Sequence, residues 1–290
     1  MSTEADRVPA DHAQQSRPAP AIPAPPPAPD EGVHSAALPP RRPGRAAAAL
    51  CLLLGLAALT AAALDTWAER GPRVPADVAA YDRVRELWHS EPVDTLLPPV
   101  LHGKGSGPGR SDRTWVRVAL APDSPCAAGL DAPLARELAP AGCARLLRAT
   151  YSDASGSSVI TVGLLFAEAG PAPLRRLAAR FEREHLGERP GLLPRPYAAP
   201  GTPAARFGDR QRAGWTVGVL AGAPVVVYAV SGFADGRVVA HPQPAARAAQ
   251  AKQTTAVAQS GLGHEALGLA AAVEARLRAR IEATAPEEEK

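Results

Sequence analysis

The chain has 290 residues, a formal net charge of +3 and a pI near 9.0. Its cations are nearly all Arg, with Lys at only three positions (Lys104, Lys252 and Lys290), and they are interleaved with acids. A nucleic-acid partner would need a basic stripe, so that class is set aside, and the length allows one or two domains.

Residues 1–45 are dominated by Pro, Ala and small polar residues and show no apolar periodicity. Such a stretch buries too little surface to offset its ordering entropy, so a disordered tail is expected. The run RPAPAIPAPPPAP from Arg17 favours extended polyproline II conformations. Arg17, Pro20 and Pro23 fit a generic SH3-ligand spacing, but a tract this rich in Pro matches it by chance, and the tract reads as a spacer.

Residues 46–64 (AAAALCLLLGLAALTAAAL) carry no charge. As a helix they would be roughly 28 Å long, close to the ~30 Å hydrocarbon core of a bilayer. Arg41, Arg42 and Arg45 precede the run, and Asp65, Glu69, Arg70 and Arg73 follow it, so the basic excess lies on the N-terminal side. The positive-inside rule then predicts a cytoplasmic N-terminus and an extracytoplasmic C-terminal domain in the cell membrane. The competing reading is a cleaved leader, for which Ala61, Ala62 and Ala63 offer a site, but the apolar run exceeds the usual signal core. Membrane lipid is thus the expected partner of residues 46–64. Ala47, Cys51 and Gly55 form a small-xxx-small ladder that would let two such helices approach as a weak homodimer, although Ala-rich helices also produce such ladders by chance.

Residues 75–90 have helical spacing through Val78, Tyr81, Val84 and Trp88. A Pro-containing stretch and a Gly-rich linker, HGKGSGPGR from His102, follow. They complete a juxtamembrane region at 65–112, before a folded domain at 113–285. The Gly-Lys in the linker lacks phosphate-loop spacing. The alternation in WVRVAL predicts a strand at 115–120, and Asp131 and Pro133 predict a short helix. Apolar runs at 146–151 and 158–166, separated by Ser-Asp-Ala-Ser-Gly, predict a hairpin. Leu174, Leu177, Ala178 and Phe181 predict an amphipathic helix that Pro171 starts. A Pro- and Gly-rich loop and a second hairpin (214–220 with 225–230) come next. A last helix carries Leu269, Val273, Leu277 and Ile281 on one stripe. The class predicted is α+β: an antiparallel sheet of hairpins with helices packed on one face, preceded by one transmembrane helix and a disordered tail.

Cys126 and Cys143 flank the predicted short helix, and an oxidising exterior would let them pair; two buried free thiols are the alternative. Neither a C-x-x-C nor a nearby His supports a redox or metal pair. His264-Glu265 opens like H-E-x-x-H, but Gly268 stands where the second His belongs. No G-x-S-x-G or S-x-x-K occurs. Ser155, Ser157, Asp153 and Asp235 fall in predicted turns, where those residue types belong. Arg175, Arg176, Arg180 and Arg183 are diluted by Glu182 and Glu184 and read as a solvated face. No catalytic residue, cofactor site or metal site is assigned.

The Pro/Ala-rich tail, the Arg-flanked span, VALAPDSPC at 118–126 and LRATYSDASGSSVITVGLLF at 147–166 together resemble uncharacterised single-pass membrane proteins of actinomycetes. The resemblance implies a cell-envelope protein and carries no activity. The expected function is a non-enzymatic binding, sensing or scaffolding domain outside the cytoplasm, with a protein partner in the envelope. A wall-active hydrolase using carboxylates distant in sequence is the alternative.

Overall fold

The sequence SVITVGLLF contains nine residues without a hydrophilic alternation, and a strand of that kind needs cover on both faces. In the computed structural model, which describes residues 76–283, every residue of this strand is buried. The tail expected at 1–45 and the membrane helix expected at 46–64 lie outside the described residues. Among the described residues no helix is long and apolar enough to cross a membrane.

The strands are β1 (Val100–Gly103), β2 (Arg113–Leu120), β3 (Arg145–Asp153), β4 (Ser158–Phe166), β5 (Gly214–Val219), β6 (Val225–Phe233) and β7 (Gln243–Pro244). They form one seven-stranded sheet in the order β1-β2-β3-β4-β6-β5-β7. All pairings are antiparallel except the two-residue β5–β7 contact, so the α+β sheet is mixed. Both expected hairpins, β3–β4 and β5–β6, are present. The segment expected as a Gly-rich linker instead joins a third pair. Val100 and Leu101 face Val116 and Trp115 across β1 and β2, and Gly105 and Gly109 turn the chain with left-handed backbones (φ +64° at each).

The helices used below are α1 (Ala76–Arg85), α2 (Ala132–Leu138), α3 (Pro171–Arg183) and α4 (Leu262–Ala283). The helix expected across 75–90 is broken: α1 ends at Arg85, and the chain resumes as a single turn, Leu87–Ser90. Arg85 donates to the carbonyls of Ala167 (3.2 Å) and Ala169 (3.4 Å), and Tyr81, Val84 and Leu87 are buried, so this region is part of the folded body.

Helices cover both faces of the sheet, which corrects the expected one-face arrangement. On one face α2 contributes Leu134 and Leu138, and α3 contributes Leu174, Leu177 and Phe181. They pack on Val159, Leu165, Val226, Tyr228 and Val230. On the other face the α4 stripe of Ala266, Leu269, Val273 and Leu277 packs on Ile160, Val162, Leu164, Val225 and Val227. The physical cause is the composition of β4 and β6: neither has a polar side to give to water. Where α4 meets the β1–β2 pair, the Trp115 ring fills the space that side chains on Gly103 and Gly268 would need (2.6 and 2.9 Å to a Cβ).

Candidate functional site

The residues singled out from sequence serve local structure. Cys126 and Cys143 have sulfurs at bonding distance with Cα atoms 6.4 Å apart, which ties the single turn Cys126–Gly129 to the approach to β3. Asp153 accepts from the backbone N–H of Ser155 (3.1 Å) and of Ser158 (2.7 Å), and Ser155 and Ser157 donate their hydroxyls to it. That closes the β3–β4 turn. Asp235 is engaged by Arg237, whose guanidinium and backbone N–H hold its carboxyl below the usual carboxylate range. Arg180 pairs with Glu137 (2.6 Å) and Glu184 (3.1 Å), while Arg175 and Arg176 are exposed. Among the described residues no group of three His, Cys, Asp or Glu stands together as a metal site.

Glu265 has a role the sequence did not reveal. It is 3 % exposed in the first turn of α4, accepts from Trp115 Nε1 at 2.5 Å and forms an ion pair with Arg113 at 3.1 Å. Burial raises its pKa, and the Trp115 hydrogen bond and the Arg113 charge only partly oppose that. One buried acid therefore fastens the β1–β2 hairpin to α4.

A second polar cluster lies under the long connection between α3 and β5. Residues 184–213 contain two single turns, Leu186–Glu188 and Asp209–Gln211, and one isolated bridge, Pro194 with Leu130, and they are firmly seated. Leu192, Leu193, Ala199, Ala204 and Phe207 are buried. Connections of this length without their own secondary structure are commonly binding or covering segments. Thr150 on β3 and Thr161 on β4 face each other across the strand pair, Oγ1 to Oγ1 at 2.8 Å. Thr150 donates to the Tyr197 carbonyl (2.8 Å) and Thr161 accepts from the Tyr197 N–H (2.9 Å). A second fixing point is Asp131, which accepts from Arg195 (3.0 Å) and Arg212 (2.6 Å). The connection is thus a strap latched onto the sheet.

Beside the latch, on the same face of β3, lies Arg148, 7 % exposed. It donates to the Ala128 carbonyl (3.3 Å) and to Ser124 Oγ (3.2 Å), and its guanidinium sits 5.6 Å from the centre of the Tyr197 ring. Its Nε–H has no protein partner, and neither has the hydroxyl of the fully buried Tyr228. Burial raises the pKa of that phenol, a shift the Arg148 charge only partly opposes, so Tyr228 stays protonated. The two groups converge at Gly129, where an added Cβ would stand 2.6 Å from Tyr228 Oη and 3.2 Å from Arg148 Cδ. Ser124 opens on a shallow depression of about 520 Å³ bordered by Asp123, Cys126, Cys143 and Arg145.

The cluster offers hydrogen-bond donors suited to meeting an acceptor group. Sequence reading missed it, although a signal was present. Along β3, Leu146, Arg148, Thr150 and Ser152 share a face, and an inward-facing strand position normally carries an apolar side chain. An apolar groove of about 380 Å³ between Phe233, Val238, Val239, His241 and Val257 is another notable concavity. Two of its polar groups, Thr255 and Gln243, are bonded to each other at 2.8 Å.

These features define a seven-stranded α+β domain with helices on both faces and a strap-covered polar cluster. Comparison of the chain with protein-family models, with curated proteins and with solved structures finds no match.

Proposed function

We propose that the chain is a single-pass membrane protein of the cell envelope. Its N-terminal tail is cytoplasmic, residues 46–64 span the membrane as a helix, and the folded domain binds or senses a ligand or scaffolds a protein partner outside the cytoplasm. The observation that carries this reading is the paired Cys126 and Cys143 in a domain that follows a charge-free, Arg-preceded apolar run. Protein disulfides persist in oxidising compartments, and the positive-inside rule independently favours that side for the domain. Asp153 and Asp235, two carboxylates a hydrolase could recruit, are each engaged within their own turns, which favours a binding domain over the hydrolase alternative. Any pairing of two copies within the membrane runs through the Ala47-Cys51-Gly55 ladder.

The test is labelling of intact cells with a membrane-impermeant maleimide, with and without prior reduction. Cys126 and Cys143 are both partly exposed, so reduction makes them reachable. Labelling only after reduction, with intracellular thiols untouched, is the expected result. Labelling that requires lysis but no reductant would place the domain inside and end the envelope reading.

A further inference from the structure

We propose that Arg148 is the anchoring cation of a binding site for a small oxyanion, a carboxylate or phosphate group presented through the depression beside the Cys126–Cys143 bridge. This deepens the reading of the domain as a binding module. Arg148 lacks a counter-charge: among the described residues no carboxylate lies within ion-pair distance of it. The similarly sheltered Arg117 and Arg212, by contrast, pair with Asp94 (2.7 Å) and Asp131 (2.6 Å). A buried cation without a counter-charge is costly, and folds tolerate one where a ligand supplies the opposite charge.

The unpaired groups at Arg148 are donors. Arg148 Nε–H and the Tyr228 hydroxyl both have a proton to donate and no protein acceptor. Ser124 Oγ already accepts from Arg148 and so has its own proton left for a further acceptor. The planar guanidinium fork fits the paired oxygens of a carboxylate or phosphate, and the same charge repels cations. Ser124 lines the depression, so an oxyanion seated there meets the Ser124 hydroxyl first, with the Arg148 guanidinium bonded directly behind it at 3.2 Å. Tyr197, held over Arg148 by the Thr150–Thr161 latch, covers the other side.

The experiment uses the full chain in detergent. Its melting temperature is followed against acetate and against phosphate, with ionic strength held constant by chloride. A saturable rise with either oxyanion is expected in the wild type and none in Arg148→Met. Ser124→Ala should weaken the apparent affinity about tenfold, the scale of one charge-assisted hydrogen bond. Its hydroxyl bonds only to Arg148 among the described side chains, so this variant carries the comparison if Arg148→Met does not fold. Identical melting in acetate, phosphate and chloride overturns the proposal, as does an equal rise in Arg148→Met. The assay is independent of membrane side. A domain found inside the cell that still responds to oxyanions would cost the envelope reading alone, and an external domain without the response would cost this one alone.

Discussion

Gly163→Ala should destabilise the domain, against the ordinary expectation for a glycine inside a strand. Gly in a strand interior costs backbone entropy, and replacing it by Ala usually helps by about 0.5–1 kcal/mol. Gly163, however, lies at the centre of β4, with Arg148 of β3 on one side and Tyr228 of β6 on the other. An added Cβ would stand 2.2 Å from Tyr228 Cζ and 2.4 Å from Cε1. Both strands are locked in the middle of the sheet, and the Tyr228 ring is fully buried among side chains of α2 and α3, so neither partner can retreat. Overpacking of this kind costs about 1–3 kcal/mol, and a contact this close puts the net loss at about 2 kcal/mol. At about 2–4 °C per kcal/mol for a domain of this size, the melting temperature should fall by roughly 4–8 °C. Thermal denaturation of the wild type, Gly163→Ala, Tyr228→Leu and the double variant measures it. In the Tyr228→Leu background the alanine should cost at least about 1 kcal/mol less, because the ring it strikes is gone. A Gly163→Ala protein that melts higher than wild type would refute the reasoning. So would a cost that persists unchanged in the Tyr228→Leu background.

Two further outcomes follow from the polar clusters. Glu265 has its folded pKa raised above the ordinary value, so it favours the fold while protonated, and that contribution is lost as pH rises through the folded pKa. Glu265→Gln should therefore gain stability relative to wild type as pH climbs from the ordinary carboxylate value of about 4 through the folded pKa, read as the difference in melting temperature; a gap that shrinks with pH would mean the Arg113 pair outweighs burial. Thr150→Val should leave the Tyr197 carbonyl without its donor and cost about 1–3 kcal/mol, with faster amide exchange concentrated in residues 184–213. Exchange that accelerates evenly over the sheet instead would show that the latch does not hold the strap.

Local chemistry made much of the domain legible in the chain itself. The turn at Asp153, the Pro-started stripe of α3, the Leu269-Val273-Leu277 row of α4 and the Cys126–Cys143 pair all depend on residues close in sequence, where spacing is the physics. The continuous apolar runs of β4 and β6 also carried the message that both faces are covered, but a short apolar run does not say what covers it. Only the tertiary structure decided that β6 inserts beside β4 with β5 outside it, that α3 and α4 lie on opposite faces, and that the Gly-rich stretch before β2 is a hairpin connection rather than a linker. The same holds for the polar clusters. Trp115 meets Glu265 across 150 positions, and Arg148 meets Tyr197 and Tyr228 through strand pairing and a strap whose path no local preference encodes. Residue spacing sets the periodicity that each element shows to its neighbours. Which neighbours those are is settled by closing loops around a shared core, a long-range balance of burial against chain entropy that no single stretch contains.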